Sequence, residues 1–326
     1  MTLLEFLNSD NDVELSRSSI EELFPEVPNA LFWLVASWHN HELVPLLIKA
    51  GYSIYEKDKD GLSAVHYCVL NTSKSTSSSA LEMAEALHRA GADFSAADHS
   101  GKSPLHYACK LGNFTLVEFL LTLGVPVDIR DSEFGQVPLH FAARYGHLEV
   151  SSLLIQVRVD LDISDNLGWT PLHHAVSGNH LSVARCLIEG GASLCVQSES
   201  GLTPLHLSTT RGNIDVTKLL LKHCKDLTSI EDTQGQTCLH YSCKFGFQEI
   251  GEMLLEEGVD CTVQDDKGWT PLHFAANGGY SKLCYLLLQS GSYPNKLTKF
   301  GMTPLHLCVD NYLKIKKEQQ EEKKWR

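Results

Sequence analysis

A chain of 326 residues with 43% hydrophobic and 21% charged side chains has the composition of folded protein, which excludes disorder over most of its length. Its 27 basic and 40 acidic residues leave a net charge of −13, a sign that repels nucleic-acid phosphate and anionic lipid and removes both as default partners. The start, MTLLEFLNSDNDVELSR, has neither a basic beginning nor a long apolar run, and no apolar run reaches the ~18–20 residues that span a bilayer, so neither secretion nor membrane insertion is expected.

In chain order, residues 1–28 read as an N-terminal cap, with one or two short amphipathic helices. Internal periodicity governs the rest of the chain. A glycine precedes a repeated P-L-H tripeptide at 61, 101, 135, 168, 201, 235, 268 and 301, in steps of 40, 34, 33, 33, 34, 33 and 33. The histidines 66, 106, 140, 173, 206, 240, 273 and 306 step identically. Two markers sharing one period define units at 58–97, 98–130, 131–164, 165–197, 198–231, 232–264 and 265–297, after a degenerate first unit at 29–57 and before a partial one at 298–310. Residues 311–326 read as a charged helix that either caps the stack or starts a tail.

Each unit begins with a polar turn such as Asp165-Asn166-Leu167-Gly168. Trp169-Thr170-Pro171-Leu172-His173 then places Thr as N-cap and Pro at the first helical position, where its missing N–H costs nothing. A break at Ser177-Gly178-Asn179 leads into a second, apolar helix, which stops at Gly190-Gly191. One unit is longer by seven residues. Its surplus lies in Asn71-Thr72-Ser73-Lys74-Ser75-Thr76-Ser77-Ser78-Ser79, which reads as a loop between helices. The loop is a tolerated insertion or a regulatory one, with Ser73, Ser75, Thr76, Ser77, Ser78 and Ser79 as phosphate acceptors.

Little here points to chemistry. Stacked units put successive P-L-H histidines about 10 Å apart, the spacing of packed helices and too far for shared metal ligation. His173 and His174 are adjacent and diverge on a helix. Gly101-Lys102-Ser103 lacks the earlier glycine of a phosphate loop, because Ala96 stands there. Ten cysteines without a C-x-x-C pair read as reduced thiols of a cytoplasmic, or else nuclear, protein. No nucleophile has a partner base, so neither enzyme activity, nor a metal, nor a cofactor is expected.

Gly168-Trp169-Thr170-Pro171-Leu172-His173 and Gly268-Trp269-Thr270-Pro271-Leu272-His273-Phe274-Ala275-Ala276 resemble the ankyrin-repeat family, and the resemblance covers roughly residues 29–310. Ser63-Ala64-Val65-His66, Val137-Pro138 and Cys238 depart from the pattern but fit it. The resemblance implies an all-α solenoid of helix–turn–helix units joined by β-turn or hairpin loops, with the histidine hydrogen-bonding within and between repeats. It also implies a protein-binding groove lined by turn tips and the exposed side of first helices. Those positions are Lys110, Phe134, Arg144, Tyr145, Trp169, Leu202, Arg211, Lys244, Phe245, Trp269 and Met302. A set rich in aromatic and basic residues suits an acidic or mixed peptide segment of a partner protein, bound by a monomeric adaptor or scaffold. Two other readings stay open: the targeting region of a longer enzyme or channel, and a nucleotide or small-ligand sensor that stacks a base on Trp169 or Trp269. The family resemblance further marks Asn295, with Leu287 before it, as a target for asparagine hydroxylation.

Overall fold

The computed structural model describes residues 41–71, 77–224 and 226–324. The expected cap at 1–28, the start of the first unit, and Ser73, Ser75 and Thr76 lie outside them. The chain divides into two compact units, Met1–Asp160 and Leu161–Arg326. The described part of the first holds α1 (Val44–Lys49), α2 (Ala64–Leu70), α3 (Ser77–Arg89), α4 (Pro104–Leu111), α5 (Phe114–Thr122), α6 (Pro138–Tyr145) and α7 (Leu148–Gln156). The second holds α8 (Pro171–Ser177), α9 (Leu181–Glu189), α10 (Pro204–Arg211), α11 (Ile214–His223), α12 (Cys238–Phe245), α13 (Gln248–Glu256), α14 (Pro271–Asn277), α15 (Ser281–Gln289) and α16 (Pro304–Lys324). Within each unit, consecutive helices pair, and each pair lies against the next: α4 on α6 and α5 on α7, α12 on α14 and α13 on α15. This is the all-α repeat solenoid that the periodicity implied.

The cap of each first helix follows from three residues. Ser63, Ser103, Thr170, Thr203, Thr237 and Thr270 sit in extended backbone just before a helix. Their amides donate to the imidazole Nδ1 of the histidine three residues on, over 3.0–3.2 Å. Val137 has no hydroxyl, yet its amide makes the same bond to His140 at 3.1 Å, so the backbone group carries the motif. First helices then stop at a left-handed glycine, as at Gly112, Gly146, Gly212 and Gly246.

The turn tips join repeats by their backbone. Ser132 N donates to Ser100 O at 2.8 Å, and Asp266 N to Gln234 O at 2.9 Å. The approach is close enough to require glycine: a Cβ on Gly201, whose φ is +76°, would sit 2.6 Å from Thr233 N. Leucines of the P-L-H tripeptides and of the second helices, such as Leu105, Leu120, Leu239 and Leu254, form the core.

Two expectations need correction. The loop placed at 71–79 is shorter, because Ser77, Ser78 and Ser79 already belong to α3. The boundary at 310 falls inside a helix: α16 runs unbroken from Pro304 to Lys324. Tyr312 stands where the preceding repeats have the left-handed Gly246 and Gly279, so nothing turns the chain back.

Candidate protein-binding surface

The repeated histidines are structural in every repeat where the hydrogen bonds can be followed. With Nδ1 accepting from the cap amide, the proton resides on Nε2, which donates to a carbonyl one repeat on. His66 reaches Lys102 O at 3.1 Å, His106 Gln136 O at 3.1 Å, His173 Leu202 O at 3.0 Å and His240 Trp269 O at 3.2 Å. Burial disfavours the imidazolium. It pushes His66, His106, His206 and His273 below the ordinary histidine value, and His173 and His240 down to about 4. Such neutral, engaged rings are poor candidates for acid–base work near pH 7.

An aspartate near the start of most turns organises the tip, and Ser198 and Thr298 do so in the others. Asp98 Oδ1 accepts from the amides of Ser100 and Lys102, and its Oδ2 from the Tyr107 hydroxyl at 2.5 Å. Asp232 repeats this with Gln234, Gln236 and Tyr241, and Asp165 with Leu167, Trp169 and the His174 ring. The aspartates fix the turn-tip residues, and where the residue after the histidine is Tyr67, Tyr107, His174 or Tyr241 its polar atom fixes the aspartate in turn. Both recur in the sequence, the aspartate three residues before most turn glycines and the aromatic residue one after every repeated histidine but His206 and His306, but neither stands out beside the stronger period of the glycines and histidines.

In Met1–Asp160, the expected Lys110, Phe134, Arg144 and Tyr145 are all exposed. Lys110 and Tyr145 come together, with the ammonium 5.9 Å from the ring centre. Phe134 is held by its amide, which donates to Asp131.

In Leu161–Arg326, Arg211, Lys244 and Phe245 are exposed, whereas Trp169, Leu202, Trp269 and Met302 are half-buried. The Lys244 ammonium lies 5.4 Å from the Tyr241 ring, 5.8 Å from Phe245 and 5.9 Å from Phe274. Trp269 adds its ring 4.8 Å from Phe274. Lys244, Phe245 and Trp269 thus share one aromatic cluster, completed by Tyr241 and Phe274. Trp169 leans on its own repeat in the same way, 5.2 Å from His174. Leu202 and Met302 are fixed by their carbonyls, which accept from His173 and His273.

A family model described as three copies of the ankyrin repeat matches residues 31–131, 112–198, 190–265 and 252–317. The chain belongs to the ankyrin repeat family. An ankyrin repeat protein of Acanthamoeba polyphaga mimivirus is 34% identical to it over 92 residues, 28% of this chain and 11% of that protein. An L-asparaginase of Dirofilaria immitis is 43% identical over 51 residues, 16% of this chain and 9% of the enzyme. The chain therefore spans about a tenth of the length of these curated relatives. A likeness of that extent covers less than two repeats of the enzyme's match and carries no catalytic activity across. Ankyrin repeats are in general protein–protein interaction modules.

Among the described residues, no helix is long and apolar enough to cross a membrane, and no three histidine, cysteine, aspartate or glutamate side chains converge as metal ligands. Asn295 is exposed, in the turn between α15 and α16.

Proposed function

We propose that this ankyrin repeat protein is a non-enzymatic intracellular adaptor or scaffold, which holds an acidic or mixed segment of a partner protein on its turn tips and first-helix ends. The observation that carries this is the exposure of basic and aromatic side chains which the repeat scaffold does not need. Lys110, Arg144 and Tyr145 show it in one unit, and Arg211, Lys244 and Phe245 in the other. Arg and aromatic residues are the usual energetic anchors of interfaces, and exposed cations beside rings suit carboxylates that lie along an apolar contact. The stacking of Trp169 and Trp269 on their own repeats favours this reading over base stacking by a free nucleotide. Within the same proposal, Asn295 is a hydroxylation site, and Ser73, Ser75, Thr76, Ser77, Ser78 and Ser79 are phosphorylation sites.

Site-specific photocrosslinking tests it. A benzophenone amino acid is placed at Tyr145 or Phe245, and at Glu118 on the outer face of α5 as a control. The same partner should be captured from positions 145 and 245 and not from 118. Arg144→Glu and Lys244→Glu should each reduce capture several-fold. Equal capture from all three positions would sink the proposal.

A further inference from the structure

The unit Leu161–Arg326 ends on a surface that its interior repeats do not show. A groove of about 470 Å³ runs between α15 and α16, lined by Leu272, Cys284, Tyr285, Leu288, Leu305 and Cys308 among others. Leu305 is 70% exposed, whereas Leu272, at the same place one repeat earlier, is 2% exposed. Leu288 is 44% exposed, whereas Leu255, its counterpart one repeat earlier, is half-buried and Ile188 and Leu221 are 9% and 4% exposed. In the interior repeats this slot is filled by the second helix of the following repeat: α11 lies against α9 and α10, and α13 against α11 and α12. The groove is therefore the stacking interface of the solenoid continued past its last pair, with the geometry of a helix socket already set.

The chain's own continuation does not suit the socket. In sequence register Lys316, Gln319 and Gln320 align with Leu283, Leu286 and Leu287 one repeat earlier, so the sequence of 311–324 lacks the apolar ridge of a second helix. The rim carries a definite charge. Lys282, in the first turn of α15, is exposed, as are Lys314 and Lys316. Asn311 donates its side-chain amide to Asn277 O, which leads α16 past the turn between α14 and α15, and Lys316, three helical turns on from Leu305 and on the same face, extends the groove at the end where Lys282 stands.

We propose that this groove docks a single amphipathic helix of a partner protein, lying parallel to α15, with apolar side chains at i, i+3 and i+4 turned inward and carboxylates in its first turn. Those carboxylates meet the lysine rim and also complement the positive end of the docked helix's own dipole. The site shares no residue with the turn-tip surface, and its occupant is independent of whatever binds there.

The probe is a stapled peptide of residues 246–258. It contains α13, which fills the equivalent socket two repeats earlier with Ile250 and Leu254 inward and carries Glu249, Glu252 and Glu256. Titrated into the full chain, with the isoleucine, leucine and valine methyl groups followed by NMR, it should bind saturably and shift the signals of Leu288 and Leu305. Leu305→Glu changes an exposed residue and should leave the melting temperature unaltered while weakening binding about tenfold or more. Lys282→Glu with Lys316→Glu should weaken binding several-fold, and a probe with lysines for its glutamates should recover it. No binding of the probe, or binding that Leu305→Glu leaves unchanged, overturns the proposal. So does a dimer, seen by sedimentation velocity, that Leu305→Glu dissolves and that excludes the probe, because the occupant is then a second copy of this chain.

Discussion

The repeat that opens at Thr270 and the one that opens at Thr303 build their caps from the same groups. Each threonine amide donates to the histidine Nδ1 at 3.1 Å, and each hydroxyl lies within 2.9 Å of the same nitrogen. Beyond the cap they diverge. His273 is fully buried and reaches the carbonyls of Lys296 and Met302, whereas His306 is exposed and has no carbonyl partner among the described residues. The motif therefore specifies a helix start wherever it occurs, and burial is supplied by the next repeat. Stability in such a stack is a property of neighbours more than of units.

The largest test of that division compares two identical substitutions. His240→Ala strips a buried partner from Thr237 N and from Trp269 O, and each stranded group costs about 1–3 kcal/mol. The urea midpoint should fall by the equivalent of about 3 kcal/mol. His306→Ala removes only an exposed cap and should cost within about 0.5–1 kcal/mol. Equal losses would mean that the cap, and not the neighbour, carries the contribution.

Acid should expose the same difference collectively. The buried histidines have folded values below the unfolded 6.5, with His173 and His240 at about 4. Between those values the unfolded chain binds protons that the folded chain does not, so stability rises with pH there. The contribution is fully present above about pH 6.5 and is lost as pH falls towards 4, by a few kcal/mol for the two most shifted rings together. Urea titrations at about pH 7.5, 6.0 and 5.0, which bracket that window, should show a falling midpoint. A flat profile would contradict buried, neutral histidines.

The fold was legible because the repeat writes its local rules over and over: glycine and histidine eight times, a hydroxyl N-cap seven times and proline six. The sites were legible only in part, for a physical reason. Exposure at Arg144, Tyr145, Lys244 and Phe245 follows from their place late in a short helix, which the period alone locates. The cluster around Lys244 depends on Tyr241 and Phe274, which lie on neighbouring first helices, and pairing across repeats is set by the rotation of one unit on the next. The open end at Leu305 was obscured for a different reason. The P-L-H tripeptide is the same there as elsewhere, and what changes is the turn glycine, replaced by Tyr312, together with the loss of the apolar ridge beyond it.

The interior repeats are themselves not uniformly complete, and a smaller effect should reveal it. Tyr107 and Tyr241 donate to the Oδ2 of Asp98 and Asp232, both at 2.5 Å. Phe141 takes the corresponding place beside His106, edge-on at 5.5 Å, but has no hydroxyl, and the buried Oδ2 of Asp131 has no partner. Phe141→Tyr should supply the missing donor and stabilise the protein by about 1 kcal/mol. In a double-mutant cycle with Asp131→Ala the gain should vanish.

The smallest expected effect separates stacking from recognition. Lys244 is exposed, and its ammonium hovers over three rings that belong to α12 and α14. If it is a device for stacking, its removal should behave like the loss of a neighbour contact. If it belongs to the surface, it should matter little to folding. An exposed cation–π contact is worth about 0.5–1 kcal/mol, and Lys244→Met keeps the aliphatic stem against the rings while removing the charge. The urea midpoint should therefore fall by no more than that amount. Crosslinking of a partner from position 245 should fall further than this loss of stability explains, because the charge and not the packing faces the ligand. A stability loss as large as that of His240→Ala would assign Lys244 to the scaffold and remove it from the binding surface.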